Sequence, residues 1–126
     1  LIVDALDGAP GLISAHYAGV HGDPAGNIAK VLDELRGVPE ERRGARFYSV
    51  VVLMRHAADP QPVIAEGIIE GRILDAPRGS NGFGYQPIFF LPELGQSSAE
   101  LPSEHWHRIS HRAQALAALR ARWPFA

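Results

Sequence analysis

The chain has 126 residues, 46% hydrophobic and 21% charged, with a formal net charge of −2 at pH 7. That composition suits one globular domain and excludes a strongly basic surface for nucleic acid or membrane. There is no cysteine, which removes a disulfide framework, a thiolate zinc site and a cysteine nucleophile. No apolar run approaches membrane-spanning length, and no signal peptide precedes the first strand, so a cytoplasmic home is the default expectation.

Leu1 to Leu6 reads as a short strand from the first residue, with no initiator methionine, so residues 1–126 are read as a single domain incomplete at its N-terminus. Asp7-Gly8-Ala9-Pro10-Gly11 is turn chemistry, and Leu12 to Tyr17 is a short irregular or helical link. Asp23 then offers an N-cap and Pro24 a first helical residue. Ile28, Val31, Leu32 and Leu35 follow at helical spacing, and Gly37 and Pro39 end the helix. Glu40 to Arg43 reads as a charged, solvated connection.

Phe47 to Met54 is apolar on both faces, which predicts a central strand covered on both sides. Ala57 to Pro62 is a loop. Val63 to Leu74 is a second strand, paired antiparallel with the first, in which Gly67 and Gly71 suggest a bulge or bend. Ile88 to Phe90 is a third strand, Pro92 to Gln96 a turn, and Ser97 to Leu101 one helical turn. Ser110 can cap a last helix from His111 to about Trp123, with Leu116, Leu119 and Trp123 as its apolar stripe. The pattern is that of an α/β domain.

Between the second and third strands lies Pro77-Arg78-Gly79-Ser80-Asn81-Gly82-Phe83-Gly84-Tyr85-Gln86-Pro87. Its glycines permit positive φ and close approach to the main chain, and Phe83 and Tyr85 add two rings. This is either a binding loop or a packed loop whose rings plug the core. His111-Arg112 falls on the first turn of the last helix, where unpaired N–H groups and the helix dipole favour a carbonyl oxygen or an anion; a solvated helix start is the plainer reading. His105, His107 and His111 could share a helical face and hold zinc, with Glu104 the one carboxylate at ligand spacing. Asp4 and Asp7 flank a strand end, where α/β enzymes place carboxylates; turn formation by Asp7 and a buried or capping role for Asp4 compete with that.

Taken in order, Val3-Asp4-Ala5-Leu6, Gly8-Ala9-Pro10-Gly11 with Ser14-Ala15 and Tyr17, Glu66-Gly67, Gly71, the Pro77–Pro87 loop with Ile88-Phe89-Phe90, Ala99-Glu100-Leu101, and Ile109-Ser110-His111-Arg112 with Gln114-Ala115-Leu116 resemble the bacterial inosine/xanthosine triphosphate pyrophosphatases (Ham1-like). The resemblance implies a homodimeric α/β enzyme with a curved mixed β-sheet and flanking helices. Its N-terminal strands and helices would be missing here. It implies Mg²⁺-dependent hydrolysis of ITP, dITP or XTP to monophosphate and pyrophosphate. It further implies that Phe83 stacks on the purine, that Gly84 and Tyr85 wall the base pocket, and that His111 and Arg112 meet the oxygen on purine carbon six.

The catalytic, metal-binding aspartate would lie before Leu1, so this chain alone is expected to be inactive and to hold no metal itself. Three positions depart from the family pattern: Gln86 replaces an aspartate, Trp106 a lysine, and His16 an arginine. A catalytically inactive nucleotide-binding or dimerisation module is the alternative.

Overall fold

A computed structural model describes residues 1–125. The strands are β1 (Ile2–Val3), β2 (Gly44–Leu53), β3 (Val63–Ile73), β4 (Phe89–Leu91) and β5 (Gln96–Ser97), and the helices are α1 (Pro24–Glu34), α2 (Ser103–Ile109) and α3 (His111–Ala121). The five strands form one sheet in the order β1-β2-β3-β4-β5. β1 pairs antiparallel with β2, β3 with β4 and β4 with β5. The expected α/β class, a sheet with flanking helices, is therefore present, and the strand pairs with a described register are antiparallel.

The chain divides into two compact units: residues 1–46 with 70–103, and residues 47–69 with 104–126. In the first, Val3, Val31, Leu35, Ile73, Ile88, Phe89 and Leu101 are almost fully buried. α1 begins as its sequence requires, with Asp23 accepting from the Gly26 N–H at 3.0 Å and Pro24 in the first turn. Of its expected stripe, Ile28, Val31 and Leu35 are buried and Leu32 is half-buried.

Arg43 is not part of a solvated connection. It is 4% exposed, and its guanidinium donates to the carbonyls of Ile73 (2.8 Å), Leu35 (2.9 Å), Val38 (3.3 Å) and Leu74 (3.0 Å). Carbonyls at a helix C-terminus lack intrahelical partners, and a five-donor fork can satisfy several at once.

In the second unit, β2 buries Phe47 and turns Tyr48, Val50, Val52 and Met54 outward, while β3 buries Ala65 and Gly67 and turns Ile64 and Ile68 outward. β2 was expected to be covered on both faces; here the face of Tyr48, Val50, Val52 and Met54 is exposed. β3 runs without a break through Gly67 and Gly71. These glycines serve close approach. A Cβ on Gly67 would collide with the His111 carbonyl oxygen and lie 2.6 Å from the Ala115 nitrogen. In the first unit, one on Gly71 would meet the Phe90 carbonyl oxygen and the Phe89 ring.

α3 starts as expected, with Ser110 accepting from the Ala113 N–H at 3.1 Å. Its buried residue is Ala115, whereas Leu116 and Trp123 of the expected stripe are exposed. A small side chain is what a helix pressed against a glycine strand requires.

Other boundaries shift. Asp4–Leu6 and Gly11–His16 are 3₁₀ turns, as is Gln86–Ile88. Residues 98–100 form a turn and not a helical one, β5 is an additional strand, and α2 is a separate helix.

Candidate functional site: an aromatic loop and a basic helix start

The Pro77–Pro87 loop is exposed at its tip but fixed at its base. Gly79 has φ +88°, and a Cβ there would collide with the Ala99 carbonyl group and lie 2.6 Å from the Glu100 nitrogen. The Asn81 N–H donates to the Ala99 carbonyl at 2.9 Å, and the Asn81 side-chain amide donates to the Leu101 carbonyl at 2.8 Å. Ser97 Oγ donates to the Arg78 carbonyl at 2.6 Å. Arg78 pairs with Glu100 at 3.0 Å. Glu100 also accepts from the Ser97 N–H, which, with the neighbouring Arg78, holds its carboxyl below the usual range against an opposing push from burial. The loop is thus stitched to residues 97–101 by backbone and side chain together.

Its two rings part company. Tyr85 is buried, and its hydroxyl donates to the Ser14 carbonyl at 2.7 Å; burial pushes that phenol up to about 12. Phe83 is 64% exposed. The plugging role is therefore filled by Tyr85, and Phe83 presents its ring outward between two glycines whose positive φ turns the backbone there (Gly82 φ +74°, Gly84 φ +63°). The Ser14 segment that receives Tyr85 is itself latched to α1. Asn27 Oδ1 accepts from the Ala18 N–H at 2.8 Å, and the Asn27 side-chain amide donates to the Ser14 and Ala15 carbonyls.

At the start of α3, His111 lies against an aromatic wall. Its ring stacks on Phe47 with centroids 5.0 Å apart and planes 17° apart. Trp106 stands edge-on to Phe47 at 6.1 Å and tilted to His111 at 6.1 Å. Burial, then the neighbouring Arg112 charge, pushes the His111 imidazole down to about 4. Its Nδ1 is buried without a hydrogen-bond partner among the described residues. Arg112, the next residue, is exposed. Phe83, Gly84 and Tyr85 thus belong to the first unit, and His111 and Arg112 to the second.

The departing residues have structural places. Gln86 is 7% exposed, its side-chain amide fills the space a Gly82 Cβ would need, and its carbonyl accepts from Ser98 Oγ at 3.1 Å. Trp106 is 5% exposed within the wall just described. His16 is exposed.

No described residues make a metal centre. Among them no three His, Cys, Asp or Glu side chains are grouped to hold an ion. His105 and His107 lie on α2, a separate helix from the one that starts at His111. Asp4 is paired with Arg46 at 3.0 Å, and its carbonyl accepts from the N–H of Asp7, which takes the left-handed conformation of a turn residue (φ 54°). These residues, as described, do not fit a magnesium site.

Sequence reasoning missed Arg43, Asn27, the Ser97–Glu100 staple and the role of Gly67. Nothing distinguishes Arg43 from Arg42 in the sequence. For Gly67, a glycine opposite a small-residue helix face was the available signal.

A family model for the Ham1 family matches residues 1–122. The chain is 60% identical over 119 residues to a dITP/XTP pyrophosphatase of Xanthomonas oryzae pv. oryzae, covering 94% of this chain and 60% of that protein. It is 60% identical over 120 residues to a dITP/XTP pyrophosphatase of Xylella fastidiosa (strain 9a5c), covering 95% and 60%. A HAM1 protein from Coxiella burnetii has a structure that superimposes with a TM-score of 0.90 at 43% identity, over 96% of this chain and 61% of that one. The chain spans three-fifths of the length of these relatives. It belongs to the Ham1 family.

Proposed function

We propose that this chain is the base-recognising part of a pyrophosphatase that cleaves dITP, XTP and ITP to the monophosphate and pyrophosphate. The observation that carries this is the outward-facing Phe83 ring on a hydrogen-bonded loop, in a family whose similar members are named for that activity. An exposed ring on a fixed backbone is a stacking platform with little ordering cost. In this reading Phe83 stacks on the purine, and the backbone at Gly84 and Tyr85 borders the base. His111 and Arg112 donate to the six-keto oxygen. Arginine is donor-only, so an adenine amino group would face it donor to donor. A buried polar group left unpaired is how a site rejects a near-isostere by large factors.

The catalytic aspartate and the donors for magnesium are proposed to lie in residues that precede Leu1 in a longer protein. We further infer a cytoplasmic homodimer. The exposed strip of Val50, Val52, Met54, Ile64 and Ile68 supports association, because contiguous apolar sheet surface is an interaction surface or a hazard. Sedimentation of the chain as a single monomeric species would contradict that.

The activity is tested by pyrophosphate release with Mg²⁺ from ITP, dITP, XTP and ATP, using a protein of the relatives' full length. Release from the keto purines in preference to ATP is expected. Binding without release would favour the nucleotide-binding module, and neither would remove the nucleotide assignment.

A further inference from the structure

We propose that Gln86 is a positioning residue for Phe83: its side chain fills the space beside Gly82 and its N–H closes the turn after Phe83, so that one residue holds both flanks of the exposed ring. Phe83 lies between two glycines, and a glycine backbone left to itself populates many settings. Something outside the pair must therefore select one.

On the C-terminal flank, the Phe83 carbonyl accepts from the Gln86 N–H at 3.4 Å. That bond spans a four-residue turn with a positive φ at Gly84 (+63°) and a negative one at Tyr85 (−85°), the order in which a type II′ turn carries them. On the N-terminal flank, a Cβ at Gly82 would collide with the Gln86 side-chain amide, so the amide already occupies the place of a side chain at 82. Gln86 can serve as a fixed point because it is itself held. It is 7% exposed, it opens the 3₁₀ turn Gln86–Ile88, and its carbonyl accepts from the Ser98 hydroxyl at 3.1 Å. Glutamine is one methylene longer than the aspartate that the family resemblance puts at this position. It is also uncharged, so it fills a nearly closed space without the counter-charge a buried carboxylate needs.

The functional consequence rests on the reading above in which Phe83 stacks on the purine. A ring held in one setting is not ordered at the expense of binding. Truncating Gln86 opens space beside Gly82, and the ring then has to be ordered by the nucleotide. A stack made in the ground and transition states alike affects KM and leaves kcat alone.

The test uses a protein of the relatives' full length, labelled with ¹⁵N and first without nucleotide. Backbone order parameters at residues 82–84 are expected at about 0.8 in wild type and below about 0.6 in Gln86→Ala. Gln86→Met, of similar length and flexibility, should keep them near wild type. With ITP, Gln86→Ala is expected to raise KM about fivefold at unchanged kcat, part of the roughly five- to hundredfold that a base–aromatic stack supplies. That rise should vanish where Phe83 is already alanine, because the two residues act through one contact. Unchanged order parameters in Gln86→Ala, or a Gln86→Met protein as mobile as Gln86→Ala, overturn the proposal. So does a rise in KM that persists in the Phe83→Ala background, which would put Gln86 on the nucleotide itself. If the order parameters fall as stated and KM for ITP does not move, the positioning role stands and the stacking reading falls.

Discussion

The Pro77–Pro87 loop and the start of α3 are held by opposite means. The loop is fixed by hydrogen bonds to residues 97–101 and by Tyr85 on the Ser14 carbonyl, so that an apolar ring can stand exposed at its tip. The helix start is fixed by apolar contact, with Gly67 under its backbone and Phe47 and Trp106 around its imidazole, so that polar groups can stand at its first turn. Polar scaffolding carries the apolar contact residue, and apolar scaffolding carries the polar ones.

The sharpest break in this contrast is Gly67→Ala. Its new methyl has no room against the His111 carbonyl, and overpacking of this kind is expected to cost about 3 kcal/mol, read as a lower urea midpoint. A variant as stable as wild type would mean that the helix does not press on the strand.

Next come the two rings of the loop, which should separate cleanly. Phe83→Ala is expected to weaken ITP binding by about 1–3 kcal/mol, the usual value of a base–aromatic stack, while changing stability by no more than about 0.5 kcal/mol. Tyr85→Phe should do the reverse, losing about 1 kcal/mol of stability through the hydrogen bond to Ser14 and leaving ITP affinity nearly intact. Equal effects on both properties in both variants would erase the distinction between plug and platform.

The smallest effect is in acid. In the folded protein burial and then Arg112 push His111 down to about 4 from an ordinary 6.5. Between those values the unfolded chain binds more protons than the folded one, so stability rises with pH through that window and this group adds no slope above it. His111→Phe should flatten the slope between pH 4 and 6.5 in melts followed by circular dichroism. An unchanged slope would place its origin elsewhere.

Much of this was legible in the sequence because it depends on local chemistry. Asp23-Pro24 and Ser110 mark their helix starts wherever those helices pack, and the glycine spacing of the loop announces positive φ before any partner is known. The resemblance found the family because it matched a series of such local signals in order. What failed depends on tertiary partners. Arg43 is buried because the carbonyls of Leu35, Val38, Ile73 and Leu74 converge on it, and its neighbour Arg42, of the same residue type, is exposed. β2 reads as apolar on both faces, and periodicity does not say whether a second layer covers each. Leu116 continues a helical stripe, yet it is Ala115 that meets the strand, because backbone contact with Gly67 selects small side chains over large ones.

In the proposed function, Arg112 at the start of α3 reads the six-position of a purine. The direct measurement is the ratio of kcat/KM for ITP to that for ATP in a full-length protein, wild type against Arg112→Ala. A collapse of the ratio by tenfold or more, the size expected when a hydrogen bond to a charged donor is lost, with most of the change in ITP, is the expected result. A ratio that stays at its wild-type value would contradict it.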